Sequence, residues 1–339
     1  MKRELLIGIT LLVIIASGLA IYRTSSSGVV KVFHAGSLSQ PFEKINEENN
    51  SFNLQREPSG SVEVMRKVTE LGKKPDIVAV SDYSLIPDYL IPEYTDWYVQ
   101  FARNEIVIAY SSESAYSSEI DENNWFKILG RSDVKFAFGD PNADPGGYRA
   151  MMTIQLAENY YDNSRIFDDL IAANTAMVAP TLENGVYTLE AIPLEELSPN
   201  TSKVQVGSME VAVIPALEEG SVDYMFNYRS IAKQHNFQFV ELPSEINLSK
   251  VKYAENYARA RVKLSDGKTK SGKPIVYGAT MLRNAEHEEA SLKFLRYLLS
   301  DGGRGILEDM GQPPINPPIV NSLDNVPSEI RDLVSEYAD

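Results

Sequence analysis

The sequence predicts an α/β protein with two lobes, and three observations support this prediction. Its 339 residues are enough for two domains of ordinary size, each with its own core. Short apolar runs alternate with helical patterns, an order typical of βαβ units around a parallel, twisted sheet. A second series of this kind begins near residue 105. We therefore expect two α/β lobes joined by two or more extended crossings, with the C-terminal part returning to the first lobe.

The composition argues against several classes of function. The formal net charge is −15, which disfavours binding to nucleic acid or docking on an anionic membrane surface. The chain contains no cysteine, which excludes disulfides, thiolate metal ligands, thiol catalysis and a lipid-modified cysteine. It contains three histidines without HExxH spacing, and P-loop, nucleophile-elbow and dinucleotide motifs are missing. A carboxylate pair like that of glycoside hydrolases stays open, because sequence spacing does not fix the distance.

The first 27 residues have the pattern of a targeting segment and not of a folded domain. Lys2 and Arg3 precede an uncharged run at residues 5–22, which is followed by a serine-rich tether at residues 23–28. This pattern is typical of a secretory signal or of an uncleaved membrane anchor, and we leave these two alternatives open. Either one predicts that the folded part works outside the cytoplasm, membrane-associated or secreted. The sequons at Asn49, Asn200 and Asn247 permit surface glycosylation there.

The first lobe is predicted to start with three strand–turn–helix units. Strands are expected at residues 29–33, 54–57 and 76–80, and helices at about 41–48 and 62–71. Each of these strands ends in a polar turn: Gly36-Ser37, Ser59-Gly60-Ser61 and Ser81-Asp82. Ligands bind beyond the carboxyl ends of strands in open α/β sheets, so Gly36-Ser37 and Ser59-Gly60-Ser61 are candidate binding segments. Serine and glycine also form ordinary turns, which stays the alternative for each turn alone.

The second lobe is predicted from residue 106 onward by a further set of elements. Strands are expected at 105–110, 134–138 and 222–228, and helices at 148–161, 209–217 and 229–234. Residues 125–129 are expected to be part of the same α/β unit. Ser208 is a good N-cap for the helix at 209–217, and Glu210 lies in its first turn. Residues 184–202 give few signals and are predicted to be irregular. Residues 262–264 and 274–278 are predicted to pair as a strand and a returning strand.

The C-terminal part is predicted to complete the first lobe. A strong helix is expected at residues 286–299, ended by Asp301-Gly302-Gly303, and residues 311–318 are expected to form a rigid turn. The predicted organisation is a targeting segment at 1–27, lobe I at 28–105 plus 276–339, and lobe II at 106–275.

The turn at residues 138–149 combines two features that oppose each other. Gly146 and Gly147 are expected to leave backbone N–H groups bare at a helix start, where unpaired amides and the helix dipole favour anions. Asp144, however, places a carboxylate in the same turn. The predicted anion site therefore carries a negative charge of its own. A role of Asp144 as a simple turn or cap residue stays the alternative.

Several of these segments together resemble a known family, the substrate-binding proteins of molybdate/tungstate ABC importers. The resemblance is to the archaeal tungstate/molybdate-binding branch, the WtpA type, and spans residues 29 to about 323. The segments that carry it are residues 33–38, 58–61, 140–149, 222–230, 272–278 and 311–314. The resemblance implies a two-lobed periplasmic-binding-protein fold of type II that closes over one oxyanion in the cleft.

The resemblance also implies a set of binding residues. Ser37 and Ser61 match the family's two serines, with Ser59 as the fallback for the second one. Asp144 and Glu210 match two carboxylates that are expected to ligate the metal centre itself and make it six-coordinate. Tyr228 matches a binding tyrosine. The implied oxyanion site is therefore Gly36, Ser37, Ser61, Asp144, Pro145, Gly146, Glu210 and Tyr228.

This reading explains the carboxylate in the anion site. Sulfate and phosphate cannot accept further oxygen ligands, so a nearby carboxylate only repels them. W(VI) and Mo(VI) are larger and hard, and they can expand their coordination to include a carboxylate oxygen. The resemblance thus implies a binding protein without enzymatic activity or a resident cofactor. It delivers tungstate or molybdate to an ABC permease and is expected to be monomeric. A carrier of sulfate or phosphate is the first alternative, and an exported hydrolase using Asp144 and Glu210 is the second.

Overall fold

The computed structural model describes residues 28–208 and 210–336, except for the side chains of Glu210 and Val211. The predicted signal or anchor at residues 1–27 lies outside the described residues. In the part described, the strands form three sheets of seven, five and four strands. The strands are β1 Gly28–Ala35, β2 Phe52–Ser59, β3 Ile77–Val80, β4 Val99–Arg103, β5 Ile106–Tyr110, β6 Phe136–Gly139, β7 Thr181–Glu183, β8 Val186–Glu190, β9 Val204–Gly207, β10 Tyr224–Tyr228, β11 Gln238–Glu241, β12 Ala260–Lys263, β13 Thr269–Ser271, β14 Val276–Met281, β15 Pro314–Val320 and β16 Ser335–Glu336.

The helices follow the strands in the alternating order that the sequence predicts. They are α1 Ser39–Glu48, α2 Ser61–Thr69, α3 Leu85–Tyr89, α4 Trp125–Leu129, α5 Pro145–Tyr160, α6 Ile214–Glu218, α7 Arg229–Gln234, α8 Ala254–Tyr257, α9 Glu288–Leu299 and α10 Asp301–Asp309. Short 3₁₀ turns at Gly36–Leu38 and Glu210–Val213 follow β1 and β9. Both turns therefore lie at the edge of a sheet, directly beyond the end of a strand.

The seven-stranded sheet has the order β16-β15-β4-β14-β3-β1-β2, and we call the part of the molecule built on it lobe I. Strand β1 is parallel to both β2 and β3, whereas β14 is antiparallel to β3 and to β4. The sheet is therefore mixed, because β14 runs antiparallel to both of its neighbours. The core of this lobe lies between the sheet and the helices α1, α9 and α10.

The remaining two sheets form lobe II. The five-stranded sheet has the order β11-β5-β10-β6-β9, and the four-stranded sheet has the order β13-β12-β8-β7. Helix α5 contacts strands of both sheets, which explains why most of its residues are buried and why it lacks a polar face. Its buried residues belong to a core that includes Phe136, Phe226 and Trp125.

Four local predictions are wrong. Residues 184–202 are not irregular throughout: β7 and β8 form a hairpin around Asn184-Gly185, which both have positive φ. An Asn-Gly pair is a strong hairpin signal that the sequence reading overlooked. The strand that returns to β12 is β13, because Val276–Met281 pairs within lobe I instead.

The other two errors lie in the C-terminal part. Residues 301–303 do not simply end α9. The helix stops at Ser300, whose ψ is 173°, and Asp301 begins α10. A Cβ on Gly303 would lie 2.3 Å from the carbonyl oxygen of Tyr297, so a glycine is needed for α10 to pack there. The expected rigid turn at 311–318 contains the first part of β15, whose prolines lie where its register with β4 shifts.

Candidate functional site

The edge of lobe I beyond β1, β2 and β3 carries the predicted serines. Ala35 pairs with Ser59, and His34 pairs with Ala79, so the carboxyl ends of the three parallel strands lie side by side. The turns that follow therefore start from one edge. Ser61 Oγ lies 3.0 Å from Ser81 Oγ and accepts a hydrogen bond from the Ser81 backbone amide at 3.2 Å. The parallel pairing thus places hydroxyl groups from distant parts of the sequence together.

Ser37 is held by two side chains from the C-terminal part of lobe I. The hydroxyl of Tyr277 donates to Ser37 Oγ at 3.1 Å, and Gln312 Nε2 donates to the Ser37 carbonyl oxygen at 2.7 Å. Gln312 is buried and follows Gly311, whose φ is +77°. A Cβ on Gly311 would lie 2.8 Å from the backbone of Arg229 and Ser230, so a glycine is required for this approach. These contacts give the segment at 311–314 a structural role beside the site.

The two serine candidates for the second hydroxyl have different surroundings. Ser59 lies at the end of β2, and its hydroxyl accepts a hydrogen bond from Lys67 Nζ at 3.1 Å. Ser61 is the first residue of α2 and contacts Ser81 at the end of β3. Ser61 thus lies beside the turn that continues from β3, whereas Ser59 is engaged by a lysine of α2.

The edge of lobe II carries the charged candidates. Strands β9, β6 and β10 are parallel neighbours, with Gly207 paired with Gly139 and Met225 paired with Ala137. Tyr228 is the last residue of β10 and is 9% exposed. Asp144 follows β6 by one turn, and the 3₁₀ turn that starts at Glu210 follows β9. The three segments therefore leave the sheet at the same edge. The side chain of Glu210 lies outside the described residues.

Asp144 is the N-cap of α5, and this corrects one expectation. Its Oδ1 accepts a hydrogen bond from Gly146 N at 2.9 Å, and its Oδ2 accepts one from Gly147 N at 3.0 Å. The amides of the helix start are thus not bare, because the carboxylate of the same turn satisfies them. Asp144 is 1% exposed. The two amide bonds orient the carboxylate at the helix start.

The glycine after Gly146 is required by packing. A Cβ on Gly147 would lie 2.2 Å from the carbonyl oxygen of Gly139, a distance that no side chain tolerates. Helix α5 therefore starts in direct backbone contact with the end of β6. This contact fixes the position of Asp144 relative to the sheet. Pro145 occupies the first helical position, where its missing N–H costs nothing.

Arg149, in the turn at residues 138–149, binds Tyr228 and is an additional residue of the candidate site. Its Nη1 donates to Tyr228 Oη at 2.6 Å, and its guanidinium carbon lies 5.7 Å from the ring centroid of Tyr228. Burial disfavours the charge on Arg149, but interactions with Tyr228, Tyr148 and Asp82 outweigh it and raise the pKa of Arg149. Asp82, which contributes to this stabilisation of the Arg149 charge, belongs to lobe I. Arg149 forms no ion pair within 4.0 Å with any carboxylate of the described residues.

The chain crosses between the lobes at residues 104–105 and 272–275. The two crossings are hydrogen-bonded to each other, since Asn104 N donates to the Ile275 carbonyl oxygen at 2.9 Å. Glu105 is 8% exposed, and Asn247 Nδ2 donates to its Oε2 at 2.6 Å. Burial raises the pKa of Glu105, although the charge of Arg229 opposes this. Asn247 is itself buried, so the sequon there is not a surface site as predicted.

Arg229 joins the crossing to both lobes. Its Nη1 lies 3.3 Å from Glu105 Oε1, and its Nη2 lies 2.9 Å from Glu308 Oε1 on α10. This ion pair connects the start of α7 in lobe II with lobe I. Residues 104–105 and the polar side chains that contact them therefore form the hinge beside the cleft.

Other features of the described residues do not form a site. They contain no group of three or more His, Asp or Glu side chains arranged to hold a metal ion. His34 is fully buried and packs edge-on against Phe42, so it is a core residue and not a rim residue. A cavity of about 170 Å³ lies near Trp97 and Arg283, at the end of β4 and β14 that is remote from the hinge. A search of residues 28–336 for a helix long and apolar enough to span a membrane found no candidate.

The structure adds residues that the sequence reading did not identify. Ser81, Asn104, Tyr277 and Gln312 contact the predicted residues or the hinge. Ser81 had a signal, because it ends a strand as Ser37 and Ser61 do. Tyr277 and Gln312 lie in segments that carry the family resemblance, but nothing in the sequence assigns them a role. Their role, like that of Asn104, depends on contacts between segments more than 100 residues apart.

Comparison with known proteins identifies the family. The family model described as bacterial extracellular solute-binding protein matches residues 30–312. The molybdate/tungstate-binding protein WtpA of Pyrococcus abyssi is 43% identical over 315 residues, which cover 89% of this chain and 89% of that protein. The WtpA of Thermococcus kodakarensis is 42% identical over 315 residues, with 89% and 86% covered. The chain therefore belongs to the extracellular solute-binding proteins, and its predicted resemblance to the archaeal molybdate/tungstate-binding branch is confirmed.

A solved structure supports the fold. A substrate-binding domain assigned to a molybdenum ABC transporter of Clostridium difficile superposes with a TM-score of 0.55. The match covers 85% of this chain and 99% of that chain at 17% identity. The predicted two-lobed periplasmic-binding-protein fold of type II is thereby confirmed.

Proposed function

We propose that this protein captures tungstate or molybdate outside the cytoplasm and delivers it to an ABC permease in the membrane. The observation that carries the proposal is Asp144, a buried carboxylate held by two amides at the strand edge of lobe II. The names of the relatives in Pyrococcus and Thermococcus support the choice of ligand. The protein would act as a monomer, without catalytic activity or a resident cofactor, and as a secreted or membrane-tethered carrier.

In this proposal the two lobes contribute different contacts. Gly36, Ser37 and Ser61 of lobe I would donate hydrogen bonds to the oxo groups, together with Tyr228 of lobe II. Ser61 is preferred to Ser59 because it lies beside Ser81, at the turn that continues from β3. Pro145 and Gly146 would shape the turn, and the Gly146 amide holds Asp144. Asp144 and Glu210 would place carboxylate oxygens on the metal centre.

The proposed chemistry explains why a negative residue lies in an anion site. Sulfur and phosphorus in their tetrahedral oxyanions do not take up further oxygen ligands, so beside them Asp144 contributes only repulsion. Tungsten and molybdenum accept additional hard oxygen donors, and repulsion is then replaced by a bond. A carboxylate pair thus favours the rare anion and disfavours the abundant ones by the same contact.

Arg149 would provide the positive charge that this arrangement needs. A dianion beside two carboxylates concentrates negative charge in a half-buried cleft, where charge interactions are poorly screened. The Arg149 guanidinium lies at this edge through its bond to Tyr228. The net charge of −15 gives no long-range attraction for an anion, so the affinity must come from such local contacts.

The proposal is tested by calorimetric titration of the chain with tungstate, molybdate, sulfate and phosphate. We expect tight binding of tungstate and molybdate, and binding of sulfate and phosphate at least about a hundredfold weaker. Sulfate binding as tight as tungstate binding would instead identify a general oxyanion carrier. Turnover of glycosides or phosphoesters that is lost in Glu210→Gln would identify a hydrolase.

A further inference from the structure

A continuous chain of four polar side chains connects Ser37 with the hinge and with lobe II. The Tyr277 hydroxyl donates to Ser37 Oγ at 3.1 Å, and Asn104 Nδ2 donates to Tyr277 Oη at 3.2 Å and to Ser230 Oγ at 2.8 Å. Asn104 lies between β4 and β5, at the first crossing. Ser230 lies in α7, two residues after Tyr228. Asn104, Tyr277 and Ser230 are each at most 2% exposed.

The direction of the hydrogen bonds in this chain follows from the backbone. Asn104 Oδ1 accepts hydrogen bonds from the amides of Glu105, at 3.0 Å, and Ser230, at 3.4 Å. Its NH₂ group must therefore face the two hydroxyls, and it offers them only donors. The Tyr277 oxygen then accepts from Asn104, so its hydrogen is directed to Ser37 Oγ. Ser37 Oγ in turn accepts this hydrogen, and its own hydrogen is left for a partner on its other side.

We infer that Tyr277 and Asn104 are positioning residues that present Ser37 to the oxyanion as a hydrogen-bond donor. This inference rests on the proposed function, because it assumes that Ser37 contacts the ligand. An oxo group of a fully deprotonated oxyanion only accepts hydrogen bonds, so a hydroxyl fixed as a donor matches it. Successive hydrogen bonds that run in one direction also strengthen one another.

The position of Asn104 at the first crossing links the orientation of the Ser37 hydroxyl to movement of the lobes. Asn104 contacts Tyr277 of lobe I and Ser230 of lobe II through the same NH₂ group. Rotation of the lobes about residues 104–105 therefore moves the group that orients the Ser37 hydroxyl. Ser37 is therefore oriented as a donor in the lobe arrangement in which Asn104 contacts both Tyr277 and Ser230.

A double-mutant cycle on the full-length chain in mild detergent tests the inference, with Tyr277→Phe, Ser37→Ala and the double variant titrated with tungstate. We expect Tyr277→Phe to weaken binding about tenfold, the effect of one net hydrogen bond, in the presence of Ser37. In the Ser37→Ala background the same substitution should cause no further loss, because its effect passes through Ser37. Asn104→Asp should weaken binding to a similar extent, since a carboxylate at this position accepts from Tyr277 and draws its hydrogen away from Ser37.

Tyr257→Phe is the matched control, because Tyr257 is a buried tyrosine of lobe II whose hydroxyl donates to the Ser244 carbonyl oxygen. It should lower the melting temperature without changing the affinity for tungstate. Equal losses for Tyr277→Phe in both backgrounds, or a lower melting temperature with unchanged affinity, would overturn the positioning role. A wild-type chain that does not bind tungstate would overturn the proposed function, and the inference with it.

Discussion

The two strand edges that face the cleft differ in their chemistry. The edge of lobe I offers hydroxyl groups, with Ser37, Ser61 and Ser81 brought together by three parallel strands, and the carboxylate of Asp82 beside them forms an ion pair with Lys273. The edge of lobe II carries charge, with the capped carboxylate of Asp144 and the guanidinium of Arg149. Neutral donors suit oxo groups of any tetrahedral anion. Discrimination between anions is therefore expected to reside in lobe II, and general affinity in lobe I.

The two edges also differ in how they are supported. In lobe I, Ser37 is held by side chains from other segments: Tyr277 donates to its hydroxyl and Gln312 to its carbonyl oxygen. Asp144 is oriented by the backbone of its own turn, which packs directly on β6 through Gly147. Substitutions of supporting residues should thus act mainly on affinity in lobe I and on stability in lobe II.

The largest effect on binding is expected from Asp144→Asn. The asparagine oxygen can accept from only one of the two amides that Asp144 binds, and its NH₂ group then faces the other, so some stability should be lost. The neutral group is also a poor ligand for W(VI). Tungstate affinity should fall by more than the roughly 10–100-fold that loss of an outer-shell partner costs at metal sites. Sulfate affinity should stay the same or rise, because a repulsive charge is removed. Titration with both anions checks this prediction, and a parallel loss for sulfate would contradict it.

The largest effect on stability is expected from Gly147→Ala. The new Cβ would lie 2.2 Å from the Gly139 carbonyl oxygen, and the helix start must shift to relieve the clash. Overpacking of this kind costs about 1–3 kcal/mol of the free energy of unfolding. Gly36→Ala is the matched control on the other edge, since a Cβ there meets no atom within 4 Å. Urea unfolding should separate the two variants, and equal stabilities would show that the α5 contact is not rigid.

An intermediate effect is expected from Arg149→Met. Loss of the guanidinium removes a positive charge and the hydrogen bond to Tyr228, so tungstate and molybdate affinity should fall by about tenfold or more. Arg149→Lys keeps the charge and should retain much of the affinity. Titrations at two salt concentrations check this, because the Met variant should also lose part of the salt dependence. Equal affinities of the wild type and the Met variant would exclude a counter-charge role.

The smallest effect is expected from the serine hydroxyls of lobe I. Ser61→Ala removes one neutral hydrogen bond and should weaken all bound oxyanions about tenfold. Ser59→Ala should leave the affinity unchanged, because the proposal assigns the second serine of the site to Ser61, beside Ser81. Titration of both variants with tungstate decides between the two serines. The reverse order of effects would move the binding role to Ser59.

The sequence was sufficient to predict the alternating elements and the two-lobed fold, because apolar strand runs and turn signals are local properties. It also showed that Asp144 and Gly146 share one turn. It did not show that the carboxylate caps the amides, since an N-cap and a free anion site have the same residue pattern. The contacts of Tyr277, Asn104 and Gln312 were not predictable, because tertiary packing across the crossings brings them to Ser37.

Direct coordination of the metal centre by the carboxylates of lobe II distinguishes the proposed carrier from a general oxyanion carrier. X-ray absorption at the tungsten L3 edge of the tungstate-loaded protein tests this coordination without reference to affinity. We expect two further oxygen neighbours at longer distance beside the four oxo groups, with one of them lost in Asp144→Asn. A spectrum identical to that of free, tetrahedral tungstate would show that no carboxylate binds the metal.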